Sequence, residues 1–178
     1  MSGLHEMWSS GAMLWPGIAI MAFVTLQRLA ELVLARSNTA ALLAAGAEEY
    51  SPGHYPAIVA VHSAWLAALW WLAPGRPVHV PLLLLFFALQ LGRVWVLRTL
   101  GPRWTTRIIV LPGAPLVSGG PFRWVSHPNY LVVIGEIAVL PLVFGLWPVA
   151  VVFSVLNAAV LWVRIRAENK VLVGAPAG

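Results

Sequence analysis

Long apolar stretches separated by short polar segments are the main pattern along this chain. Each stretch is nearly continuous and lacks the polar face that a helix of a soluble domain would show. A hydrocarbon core of about 30 Å needs about 20 apolar residues in a helix, and the stretches approach that length. The pattern predicts an all-α integral membrane protein with about five transmembrane helices, at residues 13–34, 55–72, 80–97, 129–144 and 147–165.

Two of these predicted spans have unusual features. The first looks superficially like a signal peptide, but no basic segment precedes it and no A-x-A cleavage site follows, so we expect a retained helix. The fourth contains Glu136 and Pro141, and we therefore expect a shorter or tilted element. Only Gly145 and Leu146 separate the fourth span from the fifth, which predicts a tight antiparallel helical hairpin.

The composition changes this picture little, but it excludes several kinds of site. The chain is 60% hydrophobic and 10% charged, whereas soluble domains carry about 25% charged residues. The absence of cysteine excludes disulfides, thiolate metal sites and cysteine nucleophiles. His54 and His62 have no third ligand at helical spacing, so we predict no metal site. The net charge of +5 comes from scattered single arginines, which does not favour nucleic-acid binding.

The distribution of the basic residues predicts the orientation in the membrane. Basic residues collect in cytoplasmic loops, and an odd number of spans places the two termini on opposite sides. We therefore expect an extracytoplasmic N-terminus and a cytoplasmic C-terminus, in a bacterial inner membrane, for a single polytopic domain over residues 1–178. In this orientation only Arg76 lies outside, and the inner segments hold Arg36, Arg98, Arg103, Arg107, Arg123, Arg166 and Lys170.

The connection before the fourth span, residues 100–127, is the only long polar segment. Between Thr106 and Gly120, two short β-branched segments flank the pair Pro112-Gly113. Such a pattern is typical of a β-hairpin, which we expect at the membrane surface. Connections of this length are usually functional.

A few ionisable side chains fall inside or at the ends of the predicted spans, where charge is costly unless it is paired. Arg28 and Glu31 are three residues apart in the first span, which predicts a structural ion pair. Arg93 and Arg98 lie near the end of the third span. Long side chains at such positions reach towards the interface, so we expect both arginines to act as interfacial anchors.

A turn with aromatic and basic residues, Gly119 to Tyr130, stands directly before the fourth span. Pro128 suits the first turn of a helix, where its missing N–H has no cost. His127 and the free N–H groups of that turn would then form a polar, partly positive mouth for an anionic or hydrogen-bonding group. The simpler alternative is a helix start with interfacial aromatic residues.

A second constellation is at the end of the last span, where Arg164 and Glu168 are four residues apart and share one helix face. Arg166 points elsewhere, towards the surface. A buried arginine can hold a carboxylate or an enolate with parallel hydrogen bonds. The alternative is an ordinary ion pair near a helix end.

Together these two motifs resemble the isoprenylcysteine carboxyl methyltransferase family of membrane enzymes. The resemblance runs from about Arg103 to Leu172 and includes His127-Pro-Asn-Tyr130 and Arg164-x-x-x-Glu168 in the same order. Ser126 differs from the arginine that the family usually has, and Asn169 stands where a second acid is common. Since the chain ends soon after Leu172, we expect it to lack the longer tail of many relatives.

The resemblance implies a pocket for S-adenosylmethionine formed by the loop before the fourth helix and by helices four and five, within residues 100–172. It implies that Arg164 binds the methyl acceptor, and His127 is a candidate for relaying a proton. The implied cofactor-binding residues are Ala114, Pro115, Leu116, Val117, Phe122, His127, Pro128, Asn129, Tyr130 and Glu168.

The function implied by the resemblance is an O-methyltransferase that acts on a lipidic acceptor. The acceptor is either an isoprenylcysteine-type carboxylate or the hydroxyl of an alkylpyrone or alkylresorcinol. We expect contact with membrane lipids but no nucleic acid or metal, and nothing in the chain requires more than a monomer. The alternatives are an NADPH-dependent reductase of the sterol-reductase type, disfavoured by the position of Gly135-Glu136, and a structural membrane subunit.

Overall fold

Five helices make up most of the chain. The computed structural model describes residues 2–174, with side chains described for residues 14–170. The all-α membrane architecture predicted from the hydropathy pattern is confirmed. The helices are α1 (Ser2–Ala44), α2 (Tyr55–Leu72), α3 (Val80–Leu100), α4 (Pro128–Val143) and α5 (Trp147–Gly174), with 3₁₀ turns at Pro52–His54, Gly101–Arg103 and Gly120–Arg123.

Helix α1 is longer than predicted, since it continues ten residues beyond the expected end at residue 34. Its apolar part covers Leu14–Ala44, which at 1.5 Å per residue is roughly 46 Å and exceeds the bilayer core. The helix ends where Gly46 adopts φ +90° and the N–H of Ala47 donates to the carbonyl of Leu42 at 2.9 Å. This is a Schellman C-cap, so the helix stops at the first glycine after the predicted span.

Four helices, α1, α2, α3 and α5, are long and apolar enough to cross a membrane. Helix α4 is apolar but has only 16 residues, about 24 Å, so the fourth predicted element is the shorter helix that its polar and proline residues indicated. It packs between α3 and α5 and nine of its residues are buried. Since most of its residues are buried against other helices, α4 is held mainly by protein contacts and does not need to match the thickness of the bilayer.

The predicted hairpin between α4 and α5 is confirmed. Helix α4 ends at Val143, Gly145 adopts φ +67°, and the N–H of Leu146 donates to the carbonyl of Pro141 at 2.9 Å. Helix α5 begins at the next residue, Trp147, and packs against α4. The apolar core of the bundle is centred on α4, where Phe86, Leu140 and Phe144 are fully buried together with Leu69 and Met21.

The predicted β-hairpin between Thr106 and Gly120 is wrong. The Pro112-Gly113 turn does form, since the N–H of Ala114 donates to the carbonyl of Leu111 at 3.2 Å. However, β2 (Ile108–Val110) pairs antiparallel with β1 (Glu48–Tyr50), which follows α1, and not with the segment after the turn. An ion pair between Arg107 and Glu49 at 2.9 Å supports this pairing. The sequence of the loop alone could not show that a distant strand competes for its edge.

Candidate active site

The loop before α4 ends in a turn that positions His127 and Tyr130. Gly120 has φ +53° and lies against Thr99, whose side chain occupies the space that any Cβ at position 120 would need. Pro128 lies in the first turn of α4, as predicted. The N–H of Tyr130 donates to the carbonyl of His127 at 3.0 Å. Their rings stack with centroids 5.0 Å apart, so the motif presents two aromatic rings as one unit.

The hydroxyl of Tyr130 joins the two motifs that the sequence singled out. It donates to a carboxylate oxygen of Glu168 and accepts from Nε of Arg164 at 2.8 Å. Nη1 of Arg164 donates to the backbone carbonyl of Thr106 at 2.7 Å. In the part of the chain that the structure describes, Arg164 and Glu168 form no direct ion pair. As predicted, the side chain of Arg166 lies elsewhere and is exposed.

A cavity of about 320 Å³ lies among the five helices, with Asn129, Tyr130 and Arg164 in its wall. It extends from this motif end, beside the segment Trp104–Thr106, into the bundle. The wall is mostly apolar and includes residues of α1, α2, α4 and α5, such as Ile58. The two motifs therefore form one end of a chamber large enough to hold a small organic group.

Side chains of α1 and α2 that line the cavity are also exposed, from which we infer that the cavity opens to the outer surface between these two helices. Leu29 and Leu32 of α1 and Val59 of α2 line it, and the same three side chains are exposed large hydrophobic residues. The outer surface at this depth is apolar, as a lipid-facing surface must be. A molecule dissolved in the bilayer could therefore reach the cavity without crossing water.

Three buried polar atoms in residues of the cavity wall have no hydrogen-bond partner among the described residues. They are the indole nitrogens of Trp65 and Trp104 and the side-chain oxygen of Asn129. Buried polar groups are nearly always paired in native proteins, because an unpaired one costs about 1–3 kcal/mol. The three atoms are themselves enclosed by protein, so they are polar groups that the packing of the wall leaves unpaired.

The inner end of the cavity is formed by two arginines and two glutamates, Arg28, Glu31, Arg93 and Glu136, which we call the charge network. The predicted ion pair of Arg28 with Glu31 is confirmed at 2.9 Å. Arg28 also contacts Glu136 at 2.6 Å, and Arg93 contacts Glu31 at 3.0 Å and both oxygens of Glu136. Gln90 donates to Glu136 at 2.9 Å. The network has no net charge and joins α1, α3 and α4.

The prediction that Arg93 is an interfacial anchor is therefore wrong. Its side chain is buried and pairs with carboxylates from two other helices. The arginine lies on the face of α3 that packs against α4, and Glu136 compensates its charge there. Arg98, five residues further on, lies on a different face and is exposed, which agrees with its predicted position at the surface.

The predicted cofactor residues in the loop lie away from the wall of this cavity. Phe122 packs against a small cluster around Trp104. The segment Ala114, Pro115, Leu116 and Val117 follows the Pro-Gly turn and contacts the chain through Arg103, which donates to the carbonyl of Pro115. Leu116 is 71% exposed. Of the residues implied by the resemblance, only Asn129, Tyr130 and Arg164 line the cavity, while Glu168 contacts it through Tyr130.

Several residues of the cavity were not singled out as site residues from the sequence. Tyr55 closes the motif end, where its hydroxyl lies 3.1 Å from that of Thr106. His62 lines the wall further along α2. An ionisable residue inside a span is the signal that identifies His62 as a candidate. Trp65 and Trp104 gave no such signal, since tryptophan is common in membrane proteins, above all near the interfaces.

No group of three or more His, Cys, Asp or Glu side chains that could hold a metal ion occurs among the described residues. The polar side chains that converge on the cavity are instead aromatic, basic and amide groups, and the carboxylates in its wall, Glu31 and Glu136, are paired with arginines. This combination suits an organic ligand with hydrogen-bonding groups more than a metal.

Comparison of the sequence with known proteins places both motifs within a region that matches a known family. Residues 82–174 match the sequence model of the isoprenylcysteine carboxyl methyltransferase family. This range begins in α3 and includes both motifs. The chain is also 38% identical, over 166 aligned residues, to the uncharacterized protein YpbQ of Bacillus subtilis strain 168, covering 86% of this chain and 94% of that protein. No solved structure matches the chain.

Proposed function

Because this chain belongs to the isoprenylcysteine carboxyl methyltransferase family, we propose that it is an S-adenosylmethionine-dependent O-methyltransferase acting on a lipidic acceptor. The acceptor is an isoprenylcysteine-type carboxylate or the hydroxyl of an alkylpyrone or alkylresorcinol. The observation that supports this most directly is the cavity, which has the family's motif residues at one end and an apolar opening to the lipid between α1 and α2.

The chemistry of the motif end fits S-adenosylmethionine, which supplies an electrophilic methyl group on a sulfonium centre. Glu168 has one oxygen engaged by Tyr130 and retains acceptor capacity for an amino or hydroxyl group. His127 stacks on the ring of Tyr130, and the centre of that ring also lies 5.6 Å from the guanidinium of Arg164, so the two rings form a rigid aromatic surface beside which the cofactor would lie. Asn129 is a further polar residue in the wall at this end. The loop residues 114–117 and Phe122 remain predicted contacts.

Arg164 is placed to orient the acceptor. Its guanidinium is held by the carbonyl of Thr106 and the hydroxyl of Tyr130, and it still has N–H groups to donate. Holding an acceptor oxygen in a fixed position removes much of the entropic barrier of a two-molecule reaction. The apolar wall excludes water, which favours a reaction in which charge is neutralised. His127 stays the candidate for relaying a proton to the cytoplasmic side.

The localisation follows from the same proposal. The four long apolar helices make the chain a multi-pass integral membrane protein. We propose the bacterial inner membrane, with the N-terminus outside and the C-terminus in the cytoplasm, where S-adenosylmethionine is made. Both motifs then lie at the cytoplasmic end of the bundle. A single copy contains the whole cavity, so a monomer is sufficient.

Calorimetric titration of the detergent-purified protein with S-adenosylhomocysteine tests the cofactor. We expect the wild type to bind with a Kd in the range of about 1 µM to 1 mM that is usual for enzyme ligands. Loss of a charged hydrogen bond costs about 1.5–3 kcal/mol, so Glu168→Gln should weaken binding roughly tenfold or more. His127→Ala removes the ring that stacks on Tyr130 and should also weaken binding. Arg166→Gln is the matched control, because Arg166 is exposed on the same helix and should leave binding unchanged.

Transfer of a labelled methyl group from S-adenosylmethionine to a bacterial lipid extract tests the reaction itself. Labelled lipid should appear with the wild type and be reduced strongly with Arg164→Gln, which keeps S-adenosylhomocysteine binding. A wild-type protein that is folded but binds NADPH and not S-adenosylhomocysteine would reverse the proposal in favour of a reductase.

A further inference from the structure

Tyr55, the first residue of α2, lies at the motif end of the cavity but belongs to neither motif. Its hydroxyl is 3.1 Å from the hydroxyl of Thr106, and either group can be the donor. The backbone carbonyl of Thr106 in turn accepts a hydrogen bond from Nη1 of Arg164 at 2.7 Å. A single residue therefore links Tyr55 to Arg164.

The pairing of β1 with β2 brings Tyr55 to this place. Tyr50, the last residue of β1, is opposite Ile108, which is two residues after Thr106. The chain then enters the 3₁₀ turn before α2, where the N–H of Tyr55 donates to the carbonyl of Pro52. The strand pairing and the short turn together place the ring of Tyr55 beside the loop that precedes β2.

Arg107 holds the ring of Tyr55 from the side. Its guanidinium lies 5.2 Å from the centre of the ring, which is within the range of a cation–π contact. The same guanidinium forms the ion pair with Glu49 of β1 at 2.9 Å. The ring is thus fixed by the helix at its base and by Arg107 along one face, so its hydroxyl keeps one direction.

Thr106 needs this support because it lies in a loop, between the 3₁₀ turn Gly101–Arg103 and β2. Among the described residues, no backbone group outside the helices and strands forms a hydrogen bond with Thr106. Its side chain has Tyr55 as a partner and its carbonyl has Arg164. The hydroxyl of Tyr55 is therefore the contact that holds Thr106 from the side opposite Arg164.

The direction of the Arg164 guanidinium depends on two hydrogen bonds. Nε donates to the hydroxyl of Tyr130 at 2.8 Å, and Nη1 donates to the carbonyl of Thr106. A planar guanidinium on a long side chain can turn about one hydrogen bond, whereas two bonds from different nitrogens fix its plane. If Thr106 shifted, the remaining N–H groups of Arg164 would lose their fixed direction.

We propose that Tyr55 is a positioning residue for methyl transfer, which acts by holding Thr106 and, through it, the guanidinium of Arg164. The inference rests on the proposed methyltransferase function and extends it to the segment between α1 and α2. This segment lies outside residues 82–174, the range that matches the family. Helix α5 supplies the arginine, and the start of α2 fixes its direction. Misplacement of a reacting group by about 1 Å can lower a rate about 10²-fold, so a lost hydrogen bond at this distance from the chemistry has a measurable effect.

Two substitutions remove the link from opposite sides. Tyr55→Phe and Thr106→Val each delete one hydroxyl of the pair and nearly keep the size of the side chain. Tyr50→Phe is the matched control, because its hydroxyl donates to Glu48 at 2.8 Å at an exposed position and Tyr50 does not line the cavity.

The measurement is the initial rate of transfer of a labelled methyl group from S-adenosylmethionine to a limiting amount of bacterial lipid extract. We expect Tyr55→Phe and Thr106→Val each to lower this rate about tenfold, and Tyr50→Phe to change it less than about twofold. The Kd for S-adenosylhomocysteine should stay within about twofold of the wild type in all three variants, because a neutral hydrogen bond outside the cofactor contacts is lost.

Combined variants separate positioning from general damage to the fold. Tyr55→Phe together with Thr106→Val should lose no more activity than either alone, since both remove the same contact. In the Arg164→Gln background, Tyr55→Phe should cause no further loss, because the group that it positions is absent. A weakened fold would instead lower the rate by the same factor in every background.

Nuclear magnetic resonance of the ¹⁵N-labelled protein in detergent gives a readout without turnover. The Nε–H signal of Arg164 is identified by its absence from the Arg164→Gln variant. This proton should exchange with water several-fold faster in Tyr55→Phe than in the wild type, and at the wild-type rate in Tyr50→Phe.

The possible failures are distinguishable. An unchanged rate of methyl transfer in Tyr55→Phe, or the same factor lost with and without Arg164, would overturn the positioning role and leave the methyltransferase standing. Unchanged exchange of the Arg164 Nε–H in Tyr55→Phe would refute the link between the two residues, whatever the reaction. A wild type that binds no S-adenosylhomocysteine and transfers no methyl group would remove the proposed function, and the role of Tyr55 in it.

Discussion

Removing the charge of Glu136 is the most informative perturbation of the fold. Its carboxylate is buried and accepts four hydrogen bonds, from Gln90, from Arg28 and from two nitrogens of Arg93. Glu136→Gln keeps the size of the side chain but leaves the network with one excess positive charge. Two arginines from α1 and α3 would then share the single carboxylate of Glu31.

The expected magnitude follows from the burial of the network. Taking one partner from a buried ion pair costs about 3–5 kcal/mol, since the other charge is left without compensation. The glutamine still accepts one hydrogen bond, so we expect the lower end, about 3 kcal/mol. For a chain of this size each kcal/mol lowers the unfolding midpoint by about 2–4 °C, which gives a decrease of roughly 6 to 12 °C.

Thermal unfolding in detergent, followed by the fluorescence of the ten tryptophans, measures this decrease. Glu49→Gln is the matched control, because it removes the same charge from an ion pair, with Arg107 at 2.9 Å, that is partly exposed. Such a pair contributes about 0–1 kcal/mol, so the midpoint should hardly move. Adding Arg28→Met to Glu136→Gln restores neutrality and should recover at least half of the loss. If Glu136→Gln unfolds like the control, the network is hydrated and the reasoning from burial is refuted.

Three further predictions test single contacts. Leu29→Trp should narrow the opening between α1 and α2, raising KM for a long-chain acceptor several-fold while leaving S-adenosylhomocysteine binding unchanged; an equal effect on a short-chain acceptor would contradict the proposed route. Asn38→Ala removes two hydrogen bonds to backbone carbonyls after α3, at 2.9 and 3.2 Å, and should destabilise by about 1–3 kcal/mol, seen as a lower unfolding midpoint. Gly120→Ala introduces a clash with Thr99 at a positive φ and should lower the free energy of unfolding by about 1–3 kcal/mol. Adding Thr99→Ala should recover part of this loss of stability, and no recovery would exclude the steric explanation.

Hydropathy was sufficient to predict the number and type of the helices, because a bilayer restricts spanning segments to uninterrupted apolar helices. Helix ends were less predictable. The end of α1 depends on the C-cap at Gly46, and a hydropathy window does not register a backbone conformation. The two motifs were also readable, since Arg164 and Glu168 are close in sequence and helical geometry places them on one face. That Tyr130 joins them could not be read from spacing.

Long-range pairing is what the sequence could not supply. Arg93 resembled an interfacial arginine because its partners, Glu31 and Glu136, are 62 and 43 residues away and belong to other helices. The strand β2 resembled half of a local hairpin because its partner follows α1. In both cases local spacing is compatible with two environments, and only the packing of distant elements selects one of them.

The division of the cavity between the two halves of the chain has a consequence for specificity. The range that matches the family begins at residue 82, and it contains the motif residues Tyr130, Arg164 and Glu168. Much of the remaining wall, including the opening and His62, comes from α1 and α2, outside that range. If the motif end binds the cofactor, the choice of acceptor depends largely on the N-terminal helices. Relatives that share residues equivalent to 82–174 but differ along α1 and α2 should therefore use the same methyl donor and different acceptors. Transferring α1 and α2, together with the charge network, from one relative to another should transfer the acceptor preference as well.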